Sequence, residues 1–253
     1  MELTRAHYIK DQIPIACDDS QEIYVTDAHD TSFEDRVRFM KSTKRTGKFF
    51  PLPYINIKQD GRSALYISSP SGAGKSSFAA YWITELRRFN KIKNYPVFLF
   101  TTAEDDDKAY DNIDGFNKVN INAQDFMDLT SHDLIDSICV FDDWQVHHDK
   151  AIEKKMYILV NDCLQHGRKL NIQVIVCTHQ TSQYLKTRDI IFESDTFCLF
   201  PSANPNSVIK FLVEKCDMTK KDALKILELN TRHIIVHKAV PRYIVADDCI
   251  ILL

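Results

Sequence analysis

Glycine is scarce in this sequence, with 6 residues in a chain of 253. No segment is strongly low in complexity and no repeat recurs at about 20–50 residues, which excludes collagen-like chains and repeat arrays. Long apolar runs are missing too. No stretch approaches the roughly 18 uncharged apolar residues of a membrane span, and the amino terminus, MELTRAHYIKDQIPIACDD, lacks the apolar segment of a secretion signal. Neither sign of charge dominates: 32 Lys and Arg stand against 35 Asp and Glu, a formal charge of −3. A wholly basic surface of the histone type is thereby excluded, and any nucleic acid must meet a local patch. Paired cysteines are absent. Cys17, Cys139, Cys163, Cys177, Cys198, Cys216 and Cys249 come singly, several inside apolar runs, and read as small buried hydrophobes in a reducing compartment. The expectation is a soluble cytosolic or nuclear protein.

What is present is an ordinary globular composition, 44% hydrophobic and 26% charged, at a length that suits one large α/β domain or a domain with an appendage. Residues 1–58 are mixed in character and read as an N-terminal extension packed on the core. From about residue 60 the pattern alternates strand and helix, which predicts a mostly parallel sheet flanked by helices in a domain over 59–253. Ala64–Ile67 is a short apolar run. Phe78, Ala79, Trp82, Ile83 and Leu86 follow at helical spacing. Further strands are predicted at Val97–Phe100, Ile138–Phe141, Ile172–Thr178 and Thr196–Phe200, with helices around Ala123–Leu134 and from Asp149 to Gln165. Gly167 offers a stop signal for the latter. Two C-terminal helices, near Ser207–Lys215 and Lys220–Glu228, precede a hairpin of His233–Lys238 and Arg242–Ala246 around Pro241.

Two of the six glycines fall in Ser69-Pro70-Ser71-Gly72-Ala73-Gly74-Lys75-Ser76, between an apolar strand and an amphipathic helix. That is the context of a phosphate-binding loop. Residues Ser71, Gly72, Ala73, Gly74, Lys75, Ser76 and Ser77 are the candidate nucleotide-binding set. Backbone N–H groups and a helix N-terminus would surround a phosphate, Lys75 would reach the β/γ oxygens, and Ser76 would ligate Mg²⁺. Side chains at Gly72 and Gly74 would block the close approach of backbone to phosphate. Ser69 stands where the usual pattern has glycine, which is acceptable only if that residue avoids positive φ. The run Ile138–Phe141 then delivers Asp142 and Asp143 at a strand's carboxyl end, where ligands of open α/β sheets bind. Asp142 would organise the Mg²⁺ shell and Asp143 would orient or deprotonate the attacking water. Taken alone, such a pair could equally be a solvated turn or a helix cap. The strand Ile172–Cys177 ends in Thr178-His179-Gln180. Gln180 suits a γ-phosphate sensor, because a neutral amide can hold both water and a phosphate oxygen, while His179 could be an ordinary capping residue.

Together these pieces resemble the FtsK–HerA superfamily of pumping ATPases, most closely its branch of viral DNA-packaging ATPases found in poxviruses and other large DNA viruses. The resemblance covers about residues 60–200. It is most specific at Gln165-His166-Gly167-Arg168-Lys169-Leu170-Asn171 and the strand running on to Gln180, which is similar to that branch's basic turn, apolar strand and terminal glutamine. The resemblance implies a P-loop NTPase of the ASCE type, with an extra strand between the phosphate-loop strand and the Asp142-Asp143 strand. It also implies ATP and Mg²⁺ as cofactors, hydrolysis at the subunit interfaces of a homo-oligomeric ring of five or six copies, and double-stranded DNA threaded through the centre. Loading of a viral genome into a capsid follows, with a capsid, portal-vertex or membrane protein of the virion as a further partner and the viral factory of the host cytoplasm as the location.

Such a ring needs a positive group offered in trans to the γ-phosphate. Arg168 is the first candidate, with Arg188, Arg232 and Arg242 open. DNA could meet the basic run Arg36, Arg38, Lys41, Lys44, Arg45 and Lys48 beside Phe49 and Phe50, although a charge run is commonly a solvated face. The acidic run Glu104–Asp107 reads as a solvated loop. Two rivals share the phosphate loop. A nucleotide-type small-molecule kinase also needs an arginine-rich lid, which is not visible here, and a non-hydrolysing nucleotide-gated adaptor would use the loop only as a switch.

Overall fold

The computed structural model describes residues 1–7, 9, 12–18, 21–26, 39–41, 48–53, 55, 61–103, 108–145, 147–179, 181, 184–229 and 231–253. The chain divides into two compact units, Ile55–Asp195 and a second made of Met1–Tyr54 with Thr196–Leu253. In chain order the elements begin with the short strands β1 (Glu2–Ala6), β2 (Ala16–Cys17), β3 (Glu22–Thr26), β4 (Phe39–Lys41) and β5 (Phe50–Pro51). Next come β6 (Ala64–Ser68), α1 (Lys75–Asn90), β7 (Val97–Thr101), β8 (Phe116–Lys118), α2 (Gln124–Asp128), β9 (Ile138–Asp142), α3 (Lys150–Leu170), β10 (Gln173–Thr178) and α4 (Tyr184–Glu193). The chain ends with β11 (Thr196–Leu199), α5 (Pro205–Cys216), α6 (Lys220–Leu227), β12 (Ile234–His237), β13 (Tyr243–Val245) and β14 (Cys249–Leu252).

Within Ile55–Asp195 the strands form a parallel array in the order β6-β10-β9-β7-β8. Every residue of β6, β9 and β10 is buried. Parallel strands buried on both faces need continuous apolar runs, and Ala-Leu-Tyr-Ile and Ile-Cys-Val-Phe supply them. α1 buries Phe78, Ala79, Trp82, Ile83 and Leu86, and α3 buries Met156, Leu159, Val160, Cys163 and Leu164. Each helix thus lays one stripe against the array. β10 lies between the phosphate-loop strand β6 and the Asp142 strand β9, as the family resemblance implies. An α/β fold with a largely parallel central sheet follows.

The second unit is antiparallel. One sheet runs β1-β3-β2-β5. The other runs β11-β12-β13-β14-β4, in which β12 and β13 form the expected hairpin. Asn204 accepts from Ser207 N to cap α5, and Thr219 accepts from Asp222 N to cap α6. Lys48 pairs with Asp247 at 3.1 Å.

Three local expectations change. The predicted helix over 123–134 is broken into α2 and a 3-10 turn at Ser131–Leu134, because Leu129 and Thr130 are extended and Thr130 opens a capping box with Asp133. α4 and β14 are additional to the sequence pattern. Gly167 does not stop α3. The helix continues to Leu170 and ends at Asn171, whose left-handed φ of 57° lets its N–H reach the Gly167 carbonyl. Gly167 is there for space, since a Cβ would lie 2.9 Å from Arg62 Cδ and 2.9 Å from the Ile172 carbonyl oxygen. Arg62 is itself buried and donates to the Glu193 carbonyl at 2.7 Å.

Helix propensity favours alanine over glycine by about 1 kcal/mol, but overpacking against an immovable backbone oxygen costs about 1–3 kcal/mol. Gly167→Ala is therefore expected to lower the denaturation midpoint, with a net loss of about 1–2 kcal/mol. A midpoint at or above wild type would show that this contact does not select the glycine.

Candidate active site

The phosphate loop leaves β6 at Ser68, and its first residue is tied to the neighbouring strand by Ser69 N donating to the Thr178 carbonyl at 3.2 Å. Ser69 is not among the residues at positive φ, so serine meets the condition set for it. Its hydroxyl donates to the Pro70 carbonyl at 3.0 Å. Gly72 and Gly74 have φ of 77° and 104°. A Cβ on Gly72 would meet no protein atom within 4 Å, so within the chain it is backbone conformation that selects glycine there. Gly74 is the N-cap of α1 and offers no side-chain cap, and the first turn holds no acidic residue. An uncapped, acid-free N-terminus favours an anion.

Lys75 and Ser76 open α1, and Ser76 Oγ donates to Asp142 Oδ2 at 3.0 Å. The same oxygen accepts from the Tyr110 hydroxyl at 3.2 Å. Asp142 ends β9 at 7% exposure, and its other oxygen, Oδ1, is buried with no hydrogen-bond partner among the described residues. Burial pushes the Asp142 carboxyl above its ordinary range and the Asp143 charge adds to this, while Ser76, Lys75 and Tyr110 pull it back. A buried carboxylate with an orphaned oxygen beside a serine hydroxyl is the donor set a hard divalent cation takes. These residues fit Mg²⁺.

Asp143 leaves the strand. Its φ is 49°, a left-handed conformation uncommon for a residue with a side chain, and its carbonyl accepts from Thr102 Oγ1. The turn separates the two acids, leaving the Asp143 side chain 43% exposed. His179, immediately beyond β10, reaches both machineries. Its Nδ1 lies 3.3 Å from Lys75 Nζ. Its Nε2 lies 2.5 Å from Asp143 Oδ1, an ion-pair contact rather than an in-line hydrogen bond.

The structure therefore brings Lys75, Ser76, Asp142 and Asp143 together, with Ser71, Ala73 and Ser77 in the same loop and first turn. Gln180 and the acidic run 104–107 lie outside the described residues. Arg168 is not at this site. It is exposed on the last turn of α3, and its backbone lies against Gly61, where a Cβ would meet the Arg168 carbonyl at 2.7 Å. That is the end of the array at which β6 begins, opposite the phosphate loop. Arg242 donates to the Cys216 carbonyl. Of the basic run, Lys41 lies in β4 and Lys48 pairs with Asp247. Arg36, Arg38, Lys44 and Arg45 lie outside the described residues. Sequence reasoning missed Tyr110 and Thr102, which arrive from segments with no motif of their own, and left open whether His179 is only a cap.

No protein-family model matches the chain. It is 30% identical over 207 residues to the uncharacterized protein V3 of Sputnik virophage, covering 80% of each chain. Among solved structures it is similar to the pCW3 conjugation coupling protein TcpA, with a TM-score of 0.52 and 10% identity over 84% of this chain and 66% of that one. It is also similar to B204, the DNA-packaging ATPase of Sulfolobus turreted icosahedral virus, with a TM-score of 0.46 and 15% identity over 70% and 92% of the two chains. Among the described residues no helix is long and apolar enough to cross a membrane. The chain belongs to the family of protein V3 of Sputnik virophage, and it shares the α/β fold of the conjugation coupling protein TcpA.

Proposed function

We propose that this chain is an Mg²⁺-dependent ATPase that drives double-stranded DNA translocation and loads a viral genome into a capsid. The observation that carries the reading is the contact of Ser76 with Asp142, which joins the phosphate loop to the acid pair at the carboxyl ends of two parallel strands that flank β10. TcpA, whose fold the chain shares, is a conjugation coupling protein solved with ATPγS, and B204 is a DNA-packaging ATPase. Both names agree with the assignment.

The geometry supports the following roles. The first turn of α1 and the loop backbone bind the phosphates, and Lys75, buried at 6% exposure, places a cation among them. Ser76 and Asp142 would hold Mg²⁺, whose chemistry when bound is to neutralise charge on the phosphate oxygens. Asp143, half exposed and turned away from the strand, would accept the proton of a water at the terminal phosphate. Gln180 is assigned to sense that phosphate. Arg168 is assigned to the neighbouring subunit of a ring, which agrees with its position at the far end of its own sheet. Such a ring would collect positive charge in its lumen, resolving the conflict between a net charge of −3 and DNA binding.

ATPase rate measured against added double-stranded DNA at several salt concentrations, with assembly state recorded in the same samples, tests the reading. Turnover that rises with DNA in the assembled state is expected, whereas stimulation by a nucleoside alone would favour a kinase. Lys75→Ala and Asp143→Asn should each lower turnover by about 10²–10³-fold, the former with loss of nucleotide affinity and the latter with affinity retained. Wild-type turnover in Asp143→Asn would sink the mechanism. Arg168→Ala should bind nucleotide as wild type does yet fail to hydrolyse it, and mixing it with Asp143→Asn subunits should restore part of the rate if the arginine acts across an interface.

Asp142 also predicts a pH effect. A carboxyl raised in the fold holds its proton more readily folded than unfolded, so its stabilising contribution is full in acid and fades as pH rises from the ordinary 3.8 through the raised value. In nucleotide-free protein Asp142→Asn should therefore melt higher than wild type at neutral pH, by about 2–4 °C, with the gap closing in acid. A gap independent of pH would contradict the buried charge.

A further inference from the structure

Resting on the reading above, we infer that His179 is a positioning residue that bridges the phosphate-loop lysine to the water-activating carboxylate when no nucleotide is bound, and yields its place at Lys75 to the terminal phosphate. Three observations meet here. The imidazole contacts both groups at once, Lys75 Nζ at 3.3 Å and Asp143 Oδ1 at 2.5 Å. Lys75 is buried, so the His179 nitrogen supplies a polar neighbour to an ammonium that has little water. β10 lies between β6 and β9, and therefore the residue just past its end falls between the machinery each neighbour carries.

The two partners assign the ring its tautomer. Facing an ammonium, Nδ1 presents its lone pair, which leaves the ring proton on Nε2, beside the carboxylate but not in line with Oδ1. One ring thus stands between a cation on one edge and an anion on the other. An entering triphosphate changes the balance, because its terminal oxygens carry full negative charge and compete for the same Lys75 N–H groups with charge-assisted bonds. Imidazole loses that competition at Nδ1. It keeps its contact with Asp143, and the carboxylate that must accept a proton is then held by a ring no longer tied to the lysine. The bridge opposes nucleotide binding and favours turnover, which gives the two quantities opposite responses to its removal.

The experiment uses the full chain and a non-hydrolysable ATP analogue with Mg²⁺, in parallel with steady-state turnover under the conditions of greatest wild-type activity. His179→Ala should bind the analogue about 3–10-fold more tightly, the worth of one released hydrogen bond, and turn over at least about tenfold more slowly. His179→Gln keeps one donor and one acceptor and should fall between the two. Tighter binding with slower turnover supports the bridge. Unchanged values, or affinity and turnover falling together as they would from a merely structural role, overturn it. Lys75→Ala separates this from the assignment of function: wild-type affinity in that variant overturns both, whereas lost affinity there beside wild-type behaviour in His179→Ala overturns the bridge alone.

Discussion

A carboxylate that is almost wholly shielded from water, Asp142, is the constraint on which the rest of the site depends. Isolated burial of such a charge is expensive, and two hydroxyl donors to a single oxygen offset only part of it. Ser76 and Tyr110 hold Oδ2 from the phosphate-loop helix and from a 3-10 turn at Lys108–Tyr110, so three separated segments are pinned at one atom. The other oxygen has no hydrogen-bond partner among the described residues, and burial, with the Asp143 charge beside it, pushes the carboxyl up. Stability alone does not select this arrangement. A cation brought to the orphaned oxygen, as in the proposed function, would offset what the hydroxyls leave uncompensated.

The parallel array makes that constraint possible. β6, β10 and β9 are held edge to edge by backbone pairing that runs to Thr178↔Ser68 and Val176↔Phe141, so the loops beyond them start from a fixed platform. Side chains on rigid strand ends are positioned more accurately than those on free loops. Asp142 keeps strand geometry and stays buried, whereas Asp143, one residue on, takes a left-handed turn and leaves. A single change of backbone region thereby gives two adjacent acids different environments, which is what separate roles in cation binding and proton acceptance require.

Much of this was legible in the sequence for definite reasons. Strands buried on both faces leave unbroken apolar runs, which is why Ala64–Ile67, Val97–Phe100 and Ile138–Phe141 could be placed. The phosphate loop combines a spacing with a flanking strand and helix, and the acid pair ends an apolar run. Other features left no such trace. Tyr110 reaches Asp142 from a short turn without periodicity, and Thr102 acts on a backbone carbonyl. Gly167 carries a signal with two meanings, since glycine both ends helices and admits a close neighbour, and Arg62, the neighbour that decides between them, is distant in sequence. His179 could be read as a cap because its two partners, Lys75 and Asp143, are adjacent only after β10 inserts between their strands.

The position of Arg168 bears on why a single copy would be incomplete. At about 3.3 Å per residue, the five steps from Gln173 to Thr178 separate the two ends of β10 by about 17 Å. Arg168 stands near the beginning of that span and the acids stand near its end, a distance no arginine side chain bridges within its own chain. In the proposed ring the same separation is an advantage: a cation at one end of each subunit and a phosphate site at the other let copies join head to tail, each completing its neighbour's site. In that ring hydrolysis would depend on assembly, and an unassembled subunit with nucleotide bound would lack the charge that the transition state needs.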